Sequence, residues 1–257
     1  MSSDWKQKVV FITGASSGIG GALAVELGKR GAWLGLLARR VEPLNEIVAE
    51  IERVGGRAVA LPADVRDADA VRGAAGTLRE EFGRIDLMVA NAGVGGTVSG
   101  AKLDPAEFAR VININLLGAV NAVSAVVPEM VKQGSGQLVA ISSLAAYRGL
   151  PKSGAYCASK AALSAFFESL RLDLKGTGVD VTIIHPGFIK TPLTAGREAT
   201  MPYLMELDDA VTKIVRAIEA RKKSYAFPWQ LASLVRVGML MPISMYDRIA
   251  TKNSFRE

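Results

Sequence analysis

The feature that most constrains the fold of this chain is a short apolar run that leads through a glycine-rich turn into a helix. Residues 9–12 are valine, phenylalanine and isoleucine, which favour a β-strand, and residues 13–20 contain three glycines. Ile19, Leu23 and Leu27 then recur at helical spacing. This order of strand, turn and helix predicts the first unit of an α/β sheet, with the helix packed on one face.

The glycine-rich turn also predicts a phosphate-binding site. Glycine lets the backbone approach a pyrophosphate closely, and the N–H groups at the start of the following helix attract its negative charge. The spacing is Gly-x-x-x-Gly-x-Gly, which differs from the common Gly-x-Gly-x-x-Gly fingerprint. A tight connection without a ligand is the alternative interpretation. The candidate contacts are Gly14, Ser16, Ser17, Gly18, Ile19 and Gly20.

The rest of the chain repeats this alternation of strand-like and helical segments. Strands are predicted at residues 32–38, 58–61, 85–90, 137–142 and 179–184. Helices are predicted at residues 41–54, 68–82, 116–131, 154–174 and 208–220. Alternation of this kind predicts a buried parallel sheet with helices on both faces. No proline- or serine-rich linker and no repeat divides the sequence, so a single α/β domain is expected over residues 1–257.

Tyr156 and Lys160 carry the clearest chemical signal. They lie four residues apart in a helix predicted to begin near residue 154, so both side chains are expected on one face. A nearby ammonium favours the ionised form of a phenol, whose unperturbed pKa is about 10, and so makes the tyrosine a usable acid or base. An ordinary exposed pair is the alternative. Ser143, at the end of a strand-like run, is placed to hold a substrate oxygen, and Asn115 is a further polar candidate.

These motifs resemble, in order and spacing, those of the classical short-chain dehydrogenase/reductase family. The resemblance covers residues 6–192. It rests on Gly14, Gly18, Gly20, Asn91, Ala92, Gly93, Asn115, Ser143, Tyr156, Lys160, Pro186 and Gly187. It implies an NAD(P)-dependent oxidoreductase with a single doubly wound Rossmann-type domain and a seven-stranded, mainly parallel sheet.

The resemblance also implies catalytic roles for four residues. Tyr156 would donate or accept the proton, and Ser143 would orient the substrate oxygen. Lys160 would contact the nicotinamide ribose, and Asn115 would anchor a water for proton relay. These roles agree with the acid and base chemistry expected from the residues themselves.

The end of the second strand predicts which cofactor is bound. In NAD-preferring relatives an acidic residue commonly ends this strand, whereas here Ala38 is followed by Arg39 and Arg40. Two guanidiniums attract a 2′-phosphate through charge-assisted hydrogen bonds, which predicts NADP(H) in preference to NAD(H). The alternative is that these arginines only solvate the start of the next helix.

The resemblance implies further cofactor contacts along the chain. They are Asp64, Val65, Asn91, Ala92, Gly93, Tyr156, Lys160, Pro186, Gly187 and Thr191. The first two would flank the adenine, the next three would line the cleft, and the Pro-Gly pair would lie at the nicotinamide end. The family more often has a second asparagine where this chain has Ala90. Thr191 is expected either to pair with the carboxamide of the cofactor or to cap a helix.

Composition narrows the classes of function. The net charge of +6 and the pI of about 9.5 come from basic residues scattered among acidic ones, which does not predict nucleic-acid binding. A polar N-terminus without a secretory signal predicts a cytoplasmic protein. Cys157 is the only cysteine, so neither an intrachain disulfide nor a metal site is expected. The only histidine, His185, is expected to be structural because Tyr156 already fills the acid/base role.

Residues 190–257 are expected to form a substrate loop and a C-terminal extension. Residues 237–246 are uncharged and largely apolar, but this stretch is much shorter than the roughly 20 residues needed to cross a bilayer. The tail could cover a lipophilic pocket, pack in a subunit interface or lie on a membrane surface, in decreasing order of preference. Met201 and Met205 suit a bulky apolar substrate, with plain core packing as the alternative.

Together these features predict an NADP(H)-dependent enzyme that interconverts a carbonyl and an alcohol by hydride transfer. The expected substrate is a fairly apolar ketone, aldehyde or secondary alcohol. By resemblance, a homodimer or homotetramer is expected, assembled through the helices at residues 116–131 and 154–174. A non-catalytic NADP(H)-binding sensor or scaffold is the alternative. The pairing of Tyr156 with Lys160 argues against it, because a binding protein does not need a phenol coupled to a lysine.

Overall fold

The fold is a parallel β-sheet with helices on both faces. The computed structural model describes residues 5–196 and 201–252 of the 257-residue chain. Within that part the sheet has seven strands: β1 (Val9–Thr13), β2 (Trp33–Ala38), β3 (Arg57–Pro62), β4 (Leu87–Ala90), β5 (Gly136–Ile141), β6 (Val179–Pro186) and β7 (Ser224–Phe227). Their order is β3-β2-β1-β4-β5-β6-β7, and every neighbouring pair is parallel. The predicted seven-stranded, doubly wound α/β fold is confirmed, and the sheet is wholly parallel.

The helices cover the two faces of this sheet. In the described residues they are α1 (Gly18–Lys29), α2 (Val41–Arg53), α3 (Ala68–Phe82), α4 (Pro105–Ile112), α5 (Gly118–Gln133), α6 (Gly154–Asp173), α7 (Leu207–Glu219), α8 (Trp229–Leu240) and α9 (Ile243–Lys252). Side chains alternate along β1, so Val10 and Ile12 enter one core cluster with α1, α2 and α7. Val9 and Phe11 enter the other cluster, with α3, α5 and α6. Burial of each such side chain stabilises the fold by about 1.5–3 kcal/mol.

The helix predicted at residues 116–131 is longer than expected and is interrupted. The helical run begins at Pro105, where Asp104 caps α4 by accepting a hydrogen bond from the N–H of Ala106 at 2.9 Å. A π-helical turn, Asn113–Leu117, then joins α4 to α5. Sequence analysis missed α4 because an Asp-Pro pair favours turns as well as helix starts.

The other predicted helices and strands are confirmed, with ends that differ by at most three residues. The sequence did not predict β7, α8 and α9 as separate elements. The described C-terminal residues form these three elements directly after α7.

One helical run, Pro105–Gln133, is long and apolar enough to cross a membrane by length and composition alone. Half of its most apolar window is buried inside the protein, and Val123 and Val126 of α5 belong to a core cluster of the sheet. Such burial is typical of a core helix in a globular domain, so this run is weak support for a membrane span.

Candidate active site

The predicted site residues gather at the carboxyl edge of the sheet. From β1 the chain adds β2 on one side and, later, β4 on the other, and this reversal opens a crevice at that edge. The glycine-rich turn follows β1 and Asn91 follows β4. Ser143 comes just after β5, and Pro186 ends β6. Tyr156 and Lys160 are brought to the site by α6.

Tyr156 and Lys160 lie on one face of α6, as their spacing predicts. The Nζ atom of Lys160 is 5.9 Å from the centre of the Tyr156 ring. Lys160 is buried, and its amine donates a hydrogen bond to the main-chain oxygen of Ile141 at 2.7 Å. Burial lowers the pKa of Lys160 from its usual 10.5 to about 8, because the interior penalises the charged form. A buried cation favours an anion beside it, which is what a phenol acting as an acid requires.

Asn115 ties three segments of the site together. It is fully buried in the π-helical turn between α4 and α5, and such turns are frequent at functional sites. Its Oδ1 accepts from the N–H of Val94 at 2.7 Å, and its Nδ2 donates to the oxygen of Val94 and to Oγ of Ser159, both at 3.0 Å. Ser159 in turn donates to the main-chain oxygen of Tyr156 at 2.7 Å. Asn115 therefore fixes the loop after β4 against the start of α6.

The same contacts limit what Asn115 can do for a relay water. Both protons of its side-chain amide are already donated to protein groups. A water would have to be held by the remaining lone pair of Oδ1 or by main-chain groups. The role of Asn115 as a water anchor stays a prediction.

Two adjacent serines after β5 have different partners. Ser142 is buried, donates to the main-chain oxygen of Lys160 at 3.1 Å and lies 2.7 Å from Oγ of Ser164. Ser143 has an extended backbone and caps a short 3-10 helix, Leu144–Ala146, by accepting from a main-chain N–H at 3.1 Å. Because that contact uses an oxygen lone pair, the hydroxyl proton of Ser143 can serve a substrate oxygen. Sequence analysis missed the role of Ser142 in holding α6.

The glycine-rich turn packs tightly against the segment after β4. Gly14 and Gly18 have φ angles of 67° and 55°, a region that favours glycine. A Cβ atom on Gly14 would lie 2.6 Å from the Cα of Ala92, and one on Gly20 would lie 2.4 Å from Nδ2 of Asn91. The amide of Asn91 also donates to the main-chain oxygen of Gly14 at 3.1 Å. Side chains at these positions would force the two segments apart.

The start of α1 offers unused donors to an anion. No side chain caps this helix, and the N–H groups of Gly18, Ile19 and Gly20 make no hydrogen bond within the described residues. Together with the partial positive charge of the helix start, these donors fit the pyrophosphate of a dinucleotide. Thr191 reaches the same turn, with its Cβ 3.6 Å from the position of a Cβ on Gly18. Residues 192–196 form turns, so Thr191 caps no helix within the described residues.

The two arginines after β2 face different partners. Nη2 of Arg40 donates to Oγ of Ser16 at 3.1 Å and to Oγ of Ser17 at 3.0 Å, so its guanidinium lies over the glycine-rich turn. Arg39 is exposed, and its Nη1 lies 4.0 Å from Oδ2 of Asp64. Arg40 and the two serines therefore form the better assembled candidate site for a phosphate.

Asp64 and Val65 are engaged by neighbouring protein groups. A carboxylate oxygen of Asp64 lies 2.7 Å from Nη2 of Arg66, and the hydrogen bonds from that side chain are the main cause that lowers the pKa of Asp64. Val65 is buried, and a Cβ on Gly118 of α5 would lie 2.7 Å from its Cγ2. The side chain of Val65 is therefore a packing contact with α5, which the sequence did not indicate.

The chain turns sharply where β6 ends. The N–H of Gly187 donates to the oxygen of Phe227 at 2.7 Å, and a Cβ on Gly187 would lie 2.9 Å from Cδ2 of Leu231 in α8. His185 is buried with its ring centre 4.9 Å from that of Tyr147, and its Nδ1 has no hydrogen-bond partner in the described residues. Burial is the main cause that lowers the pKa of His185, so its ring stays neutral near neutral pH.

The segment expected to form a substrate loop contacts the residues that follow β6. Met205 bridges to Ile189, and its N–H donates to the oxygen of Phe188 at 3.0 Å. Met201 is buried, which favours plain packing for this residue. Residues 197–200 lie outside the described residues.

The C-terminal helices are joined to the loop that follows Ser143. Arg148 in this loop donates to the main-chain oxygen of Gly238 in α8, and its guanidinium lies 3.8 Å from the centre of the Tyr246 ring in α9. The hydroxyl of Tyr246 donates to the oxygen of Gly149 at 2.6 Å. These contacts place α8 and α9 beside the loop that follows Ser143.

The sequence and the fold both match one protein family. The family model described as short chain dehydrogenase matches residues 8–202, and the chain belongs to the short-chain dehydrogenase/reductase family. It is 42% identical over 250 residues to an uncharacterized oxidoreductase of Myxococcus xanthus, with 97% of this chain and 99% of that protein covered. It is 43% identical over 193 residues to 11-beta-hydroxysteroid dehydrogenase 1A of Arabidopsis thaliana, with 74% of this chain and 54% of that protein covered.

A solved structure from the same family has a similar fold. The fold matches that of a short chain dehydrogenase from Mycobacterium paratuberculosis bound to NAD, with a TM-score of 0.80 and 27% sequence identity. The match covers 87% of this chain and 97% of that one. The chain is thus an oxidoreductase of a family that uses a nicotinamide cofactor and acts on the CH–OH or carbonyl groups of small molecules.

Proposed function

We propose that this protein is an NADP(H)-dependent oxidoreductase that interconverts a carbonyl and an alcohol on a fairly apolar small molecule. The observation that carries the proposal is the pairing of Tyr156 with the buried Lys160, whose Nζ lies 5.9 Å from the centre of the phenol ring. Keeping a charged amine in the interior costs free energy. A protein that only sensed a nucleotide would have no use for that arrangement.

In the proposed reaction Tyr156 exchanges a proton with the substrate oxygen. Ser143 donates its hydroxyl hydrogen to the same oxygen and so orients the substrate. Lys160 stabilises the phenolate that remains when Tyr156 gives up its proton, since charges in a buried site are weakly screened. When bound, the nicotinamide cofactor supplies or takes up hydride at the substrate carbon. Asn115 holds the first turn of α6 in place through Ser159.

The residues around the glycine-rich turn fit a dinucleotide. The free N–H groups at the start of α1 are donors for its pyrophosphate. A Cβ on Gly93 would lie 3.4 Å from both Oδ1 of Asn115 and Nζ of Lys160, so glycine keeps the cleft open beside the amine. The remaining proposed contacts are Asp64, Val65, Asn91, Ala92, Pro186, Gly187 and Thr191.

The proposed preference for NADP(H) rests on Arg40. Its guanidinium and the hydroxyls of Ser16 and Ser17 supply donors for a 2′-phosphate beside the turn. Ala38 leaves no carboxylate at the end of β2 to repel that phosphate. Arg39 adds positive charge nearby. Because the mycobacterial relative is bound to NAD, a preference for the phosphorylated cofactor must come from side chains such as these rather than from the fold.

Apolar groups beside the site support an apolar substrate. Leu231 of α8 approaches Gly187, and a Cβ on Gly95 would lie 3.2 Å from Cδ1 of Leu193. Leu231 lies in α8 and Leu193 follows Thr191, and we propose that both segments flank the substrate. The relative from Arabidopsis thaliana is named for a hydroxysteroid, which is a large apolar alcohol.

The test is oxidation of NADPH by the purified protein with a panel of apolar ketones and aldehydes. Tyr156→Phe is expected to lose this activity and to keep most of its affinity for NADPH, because only the phenolic hydroxyl is removed. Tyr225→Phe, in β7, is the matched control and should keep full activity. Equal NADPH oxidation by wild type and Tyr156→Phe would refute the role of Tyr156. Tight NADPH binding without turnover of any compound would favour the sensor instead.

We also propose that the protein resides in the cytoplasm and assembles as a homodimer or homotetramer through α5 and α6. Two exposed leucines support this surface: Leu117, just before α5, and Leu172 on α6. Analytical ultracentrifugation measures the assembly state directly, and a monomer at micromolar concentration would contradict the proposal.

A further inference from the structure

The C-terminal helices α8 and α9 expose a large apolar surface. Among the described residues, sixteen large apolar side chains are exposed, and eight of these lie at residues 229–249. The most exposed are Leu240 at 88%, Ile243 at 74% and Trp229 at 73%. These eight side chains form the C-terminal apolar patch: Trp229, Leu234, Val237, Met239, Leu240, Ile243, Met245 and Ile249. Concentration of exposed apolar side chains in so short a segment marks an interaction surface.

Helical spacing places much of the patch on the outer side of the helices. Leu231 and Val235 are half-buried and four residues apart, so they define the face of α8 that turns toward the protein. Trp229, Val237 and Leu240 fall on the opposite face at 100° per residue. In α9, Met245 and Ile249 are also four residues apart and share one flank of the helix.

Positive charges without acidic partners border the patch. Arg236 in α8 and Arg248 in α9 are exposed. Neither belongs to an ion pair within residues 5–196 and 201–252. Asp247 is the only acidic residue in α8 and α9, and Lys252 ends α9. Within α8 and α9, three basic residues therefore stand against one acidic residue, which gives this part of the chain a net positive charge.

We propose that α8 and α9 dock this protein on the surface of an anionic phospholipid bilayer. The apolar side chains enter the interfacial region, and Arg236 and Arg248 contact the anionic headgroups. Trp229 has the amphipathic ring that prefers this interface. With twelve and ten residues, the helices are shorter than the roughly 20 residues of a membrane span, so they lie on the bilayer.

A second copy of the chain fits this surface less well than a lipid bilayer. In a two-fold interface the same patch meets itself. Each copy would bring Arg236 and Arg248, with Asp247 as the one acidic residue of α8 and α9, into that interface, so the two faces would carry net charge of the same sign, which opposes association. An anionic lipid surface satisfies both the apolar side chains and the charges.

The test is co-sedimentation of the full-length protein with lipid vesicles. Vesicles of phosphatidylcholine and phosphatidylglycerol in a two-to-one ratio are compared with vesicles of phosphatidylcholine alone. The wild type is expected to bind the anionic vesicles, and to bind them less in about 0.5 M salt, where charge interactions are strongly screened. The double variant Leu240→Asn/Ile243→Asn should lose binding.

Charge and position are tested by matched variants. Each basic contact contributes about fivefold to binding, so Arg236→Gln/Arg248→Gln should bind about 25-fold more weakly. Leu103→Asn and Arg53→Gln change exposed residues of the same types outside α8 and α9, and they should bind as the wild type does. Circular dichroism of each variant confirms that it is folded.

Three results would overturn the proposal. The first is a wild type that binds neither type of vesicle, and the second is equal binding to both types. The third is self-association of the wild type that Leu240→Asn/Ile243→Asn abolishes, which would make the patch an interface between copies. NADPH oxidation in the absence of lipid, measured in parallel, reports on the proposed function independently.

Discussion

Replacing Lys160 with methionine is expected to stabilise the folded protein at neutral pH and to abolish turnover. Methionine keeps the apolar body of the side chain and removes its charge. Burial lowers the pKa of Lys160 from 10.5 to about 8, which corresponds to about 3 kcal/mol of destabilisation while the amine is charged. Loss of the 2.7 Å hydrogen bond to Ile141 offsets about 1.5–3 kcal/mol of this. A net gain of about 1 kcal/mol in the free energy of unfolding is therefore expected.

The pH dependence gives the sharper measurement. Below a pH of about 8, Lys160 is charged in both the folded and the unfolded protein. Between about 8 and 10.5 it is charged only in the unfolded protein, which then binds more protons. The free energy of unfolding of the lysine protein should therefore rise with pH through this window, by about 3 kcal/mol relative to the methionine variant.

The assay is urea unfolding of two proteins across this pH window. They are Tyr156→Phe and Tyr156→Phe/Lys160→Met, so the neighbouring phenol is absent from both and cannot titrate. Other lysines and tyrosines titrate equally in the two proteins and cancel in the difference. If the difference in unfolding free energy stays constant with pH, burial does not lower the pKa of Lys160. Turnover is measured separately on Lys160→Met alone.

Two further predictions concern the cofactor and the substrate side of the site. Arg40→Ala should weaken NADPH binding about 10- to 150-fold, because a charge-assisted hydrogen bond contributes about 1.5–3 kcal/mol. The same variant should leave NADH binding nearly unchanged. The matched control, Arg39→Ala, should weaken NADPH binding about fivefold at most, which is the loss expected for an exposed ion pair. If titrations show that Arg40→Ala weakens NADPH and NADH binding equally, the phosphate site is contradicted. Arg148→Ala should weaken the attachment of α8 and α9 to the loop after Ser143 and raise KM for the substrate severalfold at unchanged NADPH affinity. Steady-state kinetics with an unaltered KM would count against that link.

The parts of the site that the sequence predicted have local causes. Tyr156 and Lys160 share one helix, and a spacing of four residues fixes their common face whatever surrounds them. The glycine-rich turn is equally local, because a strand before it and a helix after it set its path. The parallel sheet follows from the alternation of such units along the chain.

The parts that were missed depend on segments far apart in the sequence. Consecutive residues in an extended backbone point to opposite sides, so only the register at the end of β2 decides whether Arg39 or Arg40 reaches the turn. The π-helical turn at Asn115 is a local change in the main-chain hydrogen bonding of the helix, and no residue pattern predicts it. Arg148 and Tyr246 lie far apart in the sequence and are brought together only by the fold.

Arg148 links two parts of the molecule that are far apart in the sequence, because it lies in the loop that starts at Ser143 and also contacts α8 and α9. Thermodynamic reciprocity then applies to whatever each part engages. A molecule bound at Ser143 and a surface bound by α8 and α9 would each change the affinity of the protein for the other by the same factor. The order of binding would not alter that factor.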